Sequence, residues 1–99
     1  MSRRDVKITS NDGQVDVQEA RVSKSTHEEI VWFAHDGKGA IVVFASPDGS
    51  PFQETQFQVP AGGSVSSGPA LRGAATGKPY KYTVVGHTGV NDPVVIIDN

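Results

Sequence analysis

Apolar residues fall on every second position in short runs, and polar turn formers separate those runs. This period-two pattern predicts strands that bury one face. Val6 and Ile8 alternate with charged neighbours, Asn11-Asp12-Gly13 reads as a turn, and Val15 with Val17 resumes the alternation. Ala20 and Val22 extend it in a third short strand or beyond a bulge. The run Glu29-Ile30-Val31-Trp32-Phe33 has the β-branched and aromatic content of a central strand. After the turn-rich His35-Asp36-Gly37-Lys38-Gly39 comes a second such run, Ile41-Val42-Val43-Phe44. Two apolar runs around a glycine-rich turn predict neighbouring strands.

The second half is patterned more weakly. Pro47-Asp48-Gly49-Ser50-Pro51 reads as a loop, and Phe52, Phe57 and Val59 mark a strand that stops at Pro60-Ala61-Gly62-Gly63. From Ala61 to Lys78 the chain is rich in Gly, Ala and Ser, with only Val65 and Leu71 as anchors, so this stretch is expected to be the most mobile. Tyr80, Tyr82 and Val84 alternate with Lys81 and Thr83. Asp92-Pro93 then leads into Val94-Val95-Ile96-Ile97, a closing strand either buried on both faces or paired at an edge. No segment has the period of an amphipathic helix and none repeats. The pattern predicts one all-β domain over residues 1–99, a Greek-key β-sandwich of about seven to eight strands.

Composition narrows the chemistry. A chain of 99 residues can bury roughly 60–70% of its unfolded surface, enough for one core. It contains no cysteine, which removes disulfides, thiolate metal ligands, cysteine nucleophiles and c-type haem attachment together. Nine Lys and Arg against eleven Asp and Glu, scattered along the chain, give a net charge of −2 and no basic footprint for nucleic acid. No stretch has the length and apolarity of a bilayer span. A soluble monomer is expected, with a protein or small-molecule partner of unspecified identity. Met1-Ser2-Arg3-Arg4-Asp5-Val6-Lys7 has paired arginines without a following apolar stretch, so it reads as neither a secretory nor a twin-arginine signal. A cytoplasmic location is expected if Met1 is the native start, and a periplasmic or secreted one if a leader has been removed.

Three segments carry a resemblance. Ile30 to Phe44 looks like a strand, a glycine-containing loop and a second strand bearing a His-x-Val-x-Phe pattern, with Ala40 at the histidine position. Tyr80-Lys81-Tyr82-Thr83-Val84-Val85-Gly86-His87 is similar to Tyr-x-Tyr-x-Cys-x-x-His, with Val84 at the cysteine and His87 at the histidine. Phe57 to Ser64 is similar to the strand and glycine turn between them. In these features the chain resembles the plastocyanin-like cupredoxins, over roughly Ala20 to Ile97. The resemblance implies a cupredoxin-like sandwich in which Ala40 and Val84 replace two copper ligands, His87 keeps a third, and Asp92 stands at the axial methionine. A type 1 copper site depends on a thiolate. The chain has none, so a blue-copper electron carrier is excluded.

The remaining candidate chemistry is sparse. In the arrangement that the resemblance implies, His35 and His87 lie at one end of the sandwich with Asp36 and Asp92 nearby, a set that could bind Cu(II), Zn(II) or Ni(II). Solvated turn residues are the simpler reading of these histidines, and of His27 between Thr26 and Glu28. Trp32, Phe44, Phe57 and Tyr82 are expected in the core rather than in a stacking platform. Gly73-Ala74-Ala75-Thr76-Gly77-Lys78 has the outline of a phosphate loop but places Pro79 where a Ser or Thr should follow. Ser64, Ser66 and Ser67 lack a nucleophile elbow, and the adjacent Glu28 and Glu29 would point to opposite faces of an extended chain. No catalytic residue and no cofactor are assigned, and no enzyme is expected. The leading expectation is a copper-free binding or interaction module that uses a sandwich end, an edge strand or the glycine-rich loop. The alternative is a small metal-binding protein using the loop histidines.

Overall fold

A computed structural model describes residues 3–8, 15–34, 39–45, 49–85 and 93–98. Among them are nine strands and no helix: β1 (Arg3–Ile8), β2 (Glu19–Ser23), β3 (Glu29–Ala34), β4 (Ala40–Val43), β5 (Gln56–Val59), β6 (Ser64–Pro69), β7 (Pro79–Lys81), β8 (Thr83–Val85) and β9 (Val94–Asp98). They form three sheets of three, ordered β1-β3-β6, β2-β9-β7 and β5-β4-β8. The protein is all-β, in an arrangement compatible with a β-sandwich.

Two of these sheets are joined through one residue. β7 and β8 are separated only by Tyr82, whose N–H donates to the carbonyl of Pro93 at 3.1 Å. On one side of Tyr82 the chain pairs with β9, Tyr80 opposite Val95; on the other it pairs with β4, Val84 opposite Val42. The segment 79–85 therefore passes from one partner to the next. Two pairings are parallel, β1 with β3 and β2 with β9, so each is closed by chain that crosses elsewhere.

The alternating positions converge on one core. It takes Val6 and Ile8 from β1, Ala20 and Val22 from β2, Ile30, Trp32 and Ala34 from β3, and Ala40 and Val42 from β4. Phe57, Val59, Tyr80, Val84, Val95 and Ile97 complete it from the later strands. Trp32 is fully buried at the centre of an aromatic cluster, its ring centroid 5.1 Å from Phe57, 5.7 Å from Tyr82, 6.2 Å from Phe44 and 6.4 Å from Phe52. Most of these pairs are edge-on, the orientation that ring quadrupoles favour. β9 lies between β2 and β7 with Val95, Ile96 and Ile97 all buried, which accounts for its unbroken apolar run.

The stretch after Ala61 differs from the expectation of a mobile connection. Ser64–Pro69 forms β6, antiparallel to β3 and against Trp32 and Phe33. Its pattern carries only Val65 as an apolar signal because pairing and a side-chain hydroxyl hold it in place. The register slips between Glu29 and Val31, an extra residue on β6 is accommodated with Gly68 at φ 71°, and the ladder is interrupted at Ile30. Ser67 repairs the interruption. Its buried Oγ accepts the Ile30 N–H at 2.9 Å and donates to the Gly68 carbonyl at 2.7 Å. Leu71, expected as an anchor, is 43% exposed, and Ala74 is buried in its stead.

Candidate functional site

The resemblance directs attention to Ala40 and Val84. Both are buried and face the core, Ala40 opening β4 and Val84 at the middle of β8. Val84 is opposite Val42, so Ala40, two residues back along β4, is its diagonal neighbour on the same face. Such neighbours stand about 7–8 Å apart. Neither side chain carries a donor atom for a metal. Among the described residues no group of three or more His, Cys, Asp or Glu could hold a metal ion. The chain at these positions does not fit type 1 copper, and no redox step follows from it. His35, Asp36, His87 and Asp92 lie outside the described residues. His27 is exposed, in the turn between β2 and β3 with φ 57°, and its N–H donates to the Lys24 carbonyl.

Other expected chemistry resolves into structure. Ser66 Oγ donates to Glu29 and accepts the Gly68 N–H, and Ser67 serves the bulge, so both hydroxyls are engaged in holding β6. Glu28 turns elsewhere, its Oε1 accepting the Ser23 N–H at 2.7 Å. The stretch from Gly73 to Lys78 docks on β9 rather than cradling an anion, with Thr76 bridged to Ile97 and the Gly77 N–H on the Ile97 carbonyl. Tyr80 accepts the Ala75 N–H on its hydroxyl at 2.8 Å. Tyr82 differs from Tyr80. Its hydroxyl and the Trp32 indole N–H are both buried and, among the described residues, neither has a hydrogen-bond partner. Burial pushes the Tyr82 phenol up to about 12, against a lowering by the Trp32 indole N–H beside it and with a smaller rise from the Asp16 carboxylate.

A surface the residue pattern did not single out lies on the far side of the β5-β4-β8 sheet. Cross-strand rows place Gln58, Ile41 and Val85 side by side, then Gln56, Val43 and Thr83. None of the six is charged. Val85 is 46% exposed, Ile41 and Val43 are half-buried, and a shallow concavity runs from Gly39 through Ile41 and Gln58 to Ala61 and Val85. Gly39 closes its rim so tightly that a Cβ there would stand 2.9 Å from the Val59 carbonyl oxygen. The signal was in the sequence as an absence: no residue from Thr55 to Leu71 is charged. The outward face of the β1-β3-β6 sheet, by contrast, carries Arg3, Asp5, Lys7 and Glu29.

Comparison with known proteins adds no relative: no family model, no curated protein and no solved structure matches this chain.

Proposed function

We propose that this chain is a copper-free, cupredoxin-like Greek-key sandwich that acts as a binding or interaction module, with the uncharged face of β5, β4 and β8 as its working surface. The observation that carries the reading is the placement of Ala40 and Val84. They are diagonal neighbours on adjacent strands, and both are apolar and packed into the core. On this reading the positions that the resemblance assigns to copper ligands are given over to packing. What remains for function is surface, and the face beside these positions combines exposed apolar area with a lack of charge.

The register is tested by restoring the ligands. Ala40→His with Val84→Cys, in the presence of His87, is expected to give a folded protein that binds Cu(II) with an intense thiolate-to-copper absorption band, while the parent shows none. A variant that unfolds cooperatively with heat and binds Cu(II) without that band overturns the cupredoxin-like register. The metal-handling alternative is tested on the parent by amide NMR with an equimolar amount of Cu(II) or Zn(II). Saturable shifts confined to the residues around His35 and His87 would replace the interaction reading with the metal-binding one.

A further inference from the structure

The strands at the two flanks of the molecule end differently. In β5 the Phe44 N–H donates to the Thr55 carbonyl at 2.8 Å, which sets the ladder so that Thr55, Phe57 and Val59 direct their backbone groups at β4. Gln56 and Gln58 therefore direct theirs outward. Among the described residues nothing receives those groups, and both side chains are exposed. An open edge of this kind is a template for another strand unless charge, proline or a covering side chain blocks it. No charged residue occurs from Thr55 to Leu71, and the first proline beyond β5 is Pro60.

We propose that β5 pairs antiparallel with β5 of a second copy of this chain, so that two β5-β4-β8 sheets become one continuous sheet. The inference rests on reading this face as an interaction surface. One property favours a second copy over a charged strand, and the geometry of β5 permits the pairing. An uncharged edge meets its own copy without the like-charge repulsion that a charged edge would suffer, and it offers nothing electrostatic to an acidic or basic partner. The face parity of β5 is also self-consistent. With the twofold axis perpendicular to the sheet and passing by Phe57, Gln56 stands opposite the partner's Gln58. Both belong to the outward face, while Phe57 and the partner's Phe57 keep to the core side. In this register the outward-pointing groups of Gln56 and Gln58 are the ones that exchange hydrogen bonds, and the two side-chain amides lie side by side. A strand this short makes a small interface, so the dimer is weak and concentration-dependent.

Sedimentation velocity over a concentration series to about 1 mM tests this, that being the weak end of specific association. The parent is expected to shift from monomer toward dimer. Gln56→Lys with Gln58→Lys sets like charges opposite each other and is expected to stay monomeric. Gln56→Lys with Gln58→Glu sets opposite charges together in the same register, and is expected to restore a dimer that weakens with added salt. These side chains are exposed, so circular dichroism and the thermal midpoint are expected to match the parent in both variants. A parent that is monomeric throughout overturns self-pairing but leaves the interaction reading to its own test by metal titration. A dimer that persists in the doubly lysine-substituted protein, or that the charge-paired variant fails to restore, overturns the β5 register.

Discussion

At Lys7 of β1 and at Arg21 and Ser23 of β2, outward backbone groups are met by side chains or by the chain itself; at Gln56 and Gln58 of β5, among the described residues, they are not. The free edge of β1 is taken by Val15 and Asp16: Ile8 bridges Val15, the Asp16 N–H donates to the Lys7 carbonyl, and Asp16 Oδ1 accepts the Lys7 N–H at 2.8 Å. On β2, Arg4 Nε donates to the Arg21 carbonyl and Glu28 accepts the Ser23 N–H. Ion pairs of Arg21 with Glu19 and Asp98 and of Arg3 with Asp5 cover the same flank. Among the described residues β5 has none of these devices. Inside, the polar atoms beside β6 are paired through Ser66 and Ser67, whereas the Tyr82 hydroxyl and the Trp32 indole N–H of β3 are buried without a hydrogen bond among the described residues. One edge is latched at these points, and the other, among the described residues, is not.

The largest expected effect lies at the buried Tyr82 hydroxyl. The Tyr82 phenol titrates near 10 when unfolded and near 12 when folded, so its neutral form is favoured by folding. That contribution is complete below pH 10 and declines as pH rises from 10 to 12, reaching a loss of roughly 2–3 kcal/mol. In Tyr82→Phe this part of the alkaline decline is expected to vanish, with stability at pH 7 changed by no more than about 1 kcal/mol because the hydroxyl makes no bond to lose. Urea unfolding of both proteins at pH 7 and above pH 10 checks it. Equal alkaline losses would show that Tyr82 is not the group responsible.

Beside β6, Ser67→Ala removes the acceptor of a buried N–H and is expected to cost about 1–3 kcal/mol. Hydrogen exchange at the Ile30 amide should accelerate more than at Trp32 or Ala34. Uniform acceleration across β3 would mean that the bulge is held by packing alone. The smallest effect belongs to the exposed latch. Asp16→Ala is expected to cost about 1 kcal/mol, for one charge-assisted bond at the surface. Its clearest sign would be faster exchange of the Lys7 amide, and an unchanged rate there would remove the latch from the comparison.

Alternation was enough to place β1, β2, β3, β4 and β9 in outline and to bury Trp32, Phe44, Phe57 and Tyr82, because a strand with one wet face writes that face into its sequence. It failed where other forces hold the chain. β6 has a single apolar residue directed by pattern, and its place depends on β3 and on a serine hydroxyl, neither of which is local. Val15 and Val17 read as a strand, yet only Val15 bridges, since that segment caps an edge instead of extending a sheet. Tyr80 to Val84 read as one strand. The change of partner at Tyr82 is a tertiary event with no mark in the alternation. The two parallel pairings were equally invisible, because register between distant strands is not encoded in either strand alone. Of the candidate site, the apolar character of Ala40 and Val84 could be read directly, while the uncharged outward face needed the strand order before its rows could be seen.

The parallel pairing of β2 with β9 has a consequence for how the molecule is made. Glu19 meets Val94 and Ser23 meets Asp98, so β2 waits for a partner far along the chain. β7 in turn depends on β9, and through Tyr82 it is continuous with the strand that pairs with β4. Contacts of such long sequence separation make folding slow relative to domains built from neighbours. A nascent chain that has not yet released Val94–Asp98 holds β2 and β7 without their shared partner, and the aromatic cluster around Trp32 has no completed wall on that side. Assembly therefore waits for β9, the strand that joins β2 to β7 in one sheet.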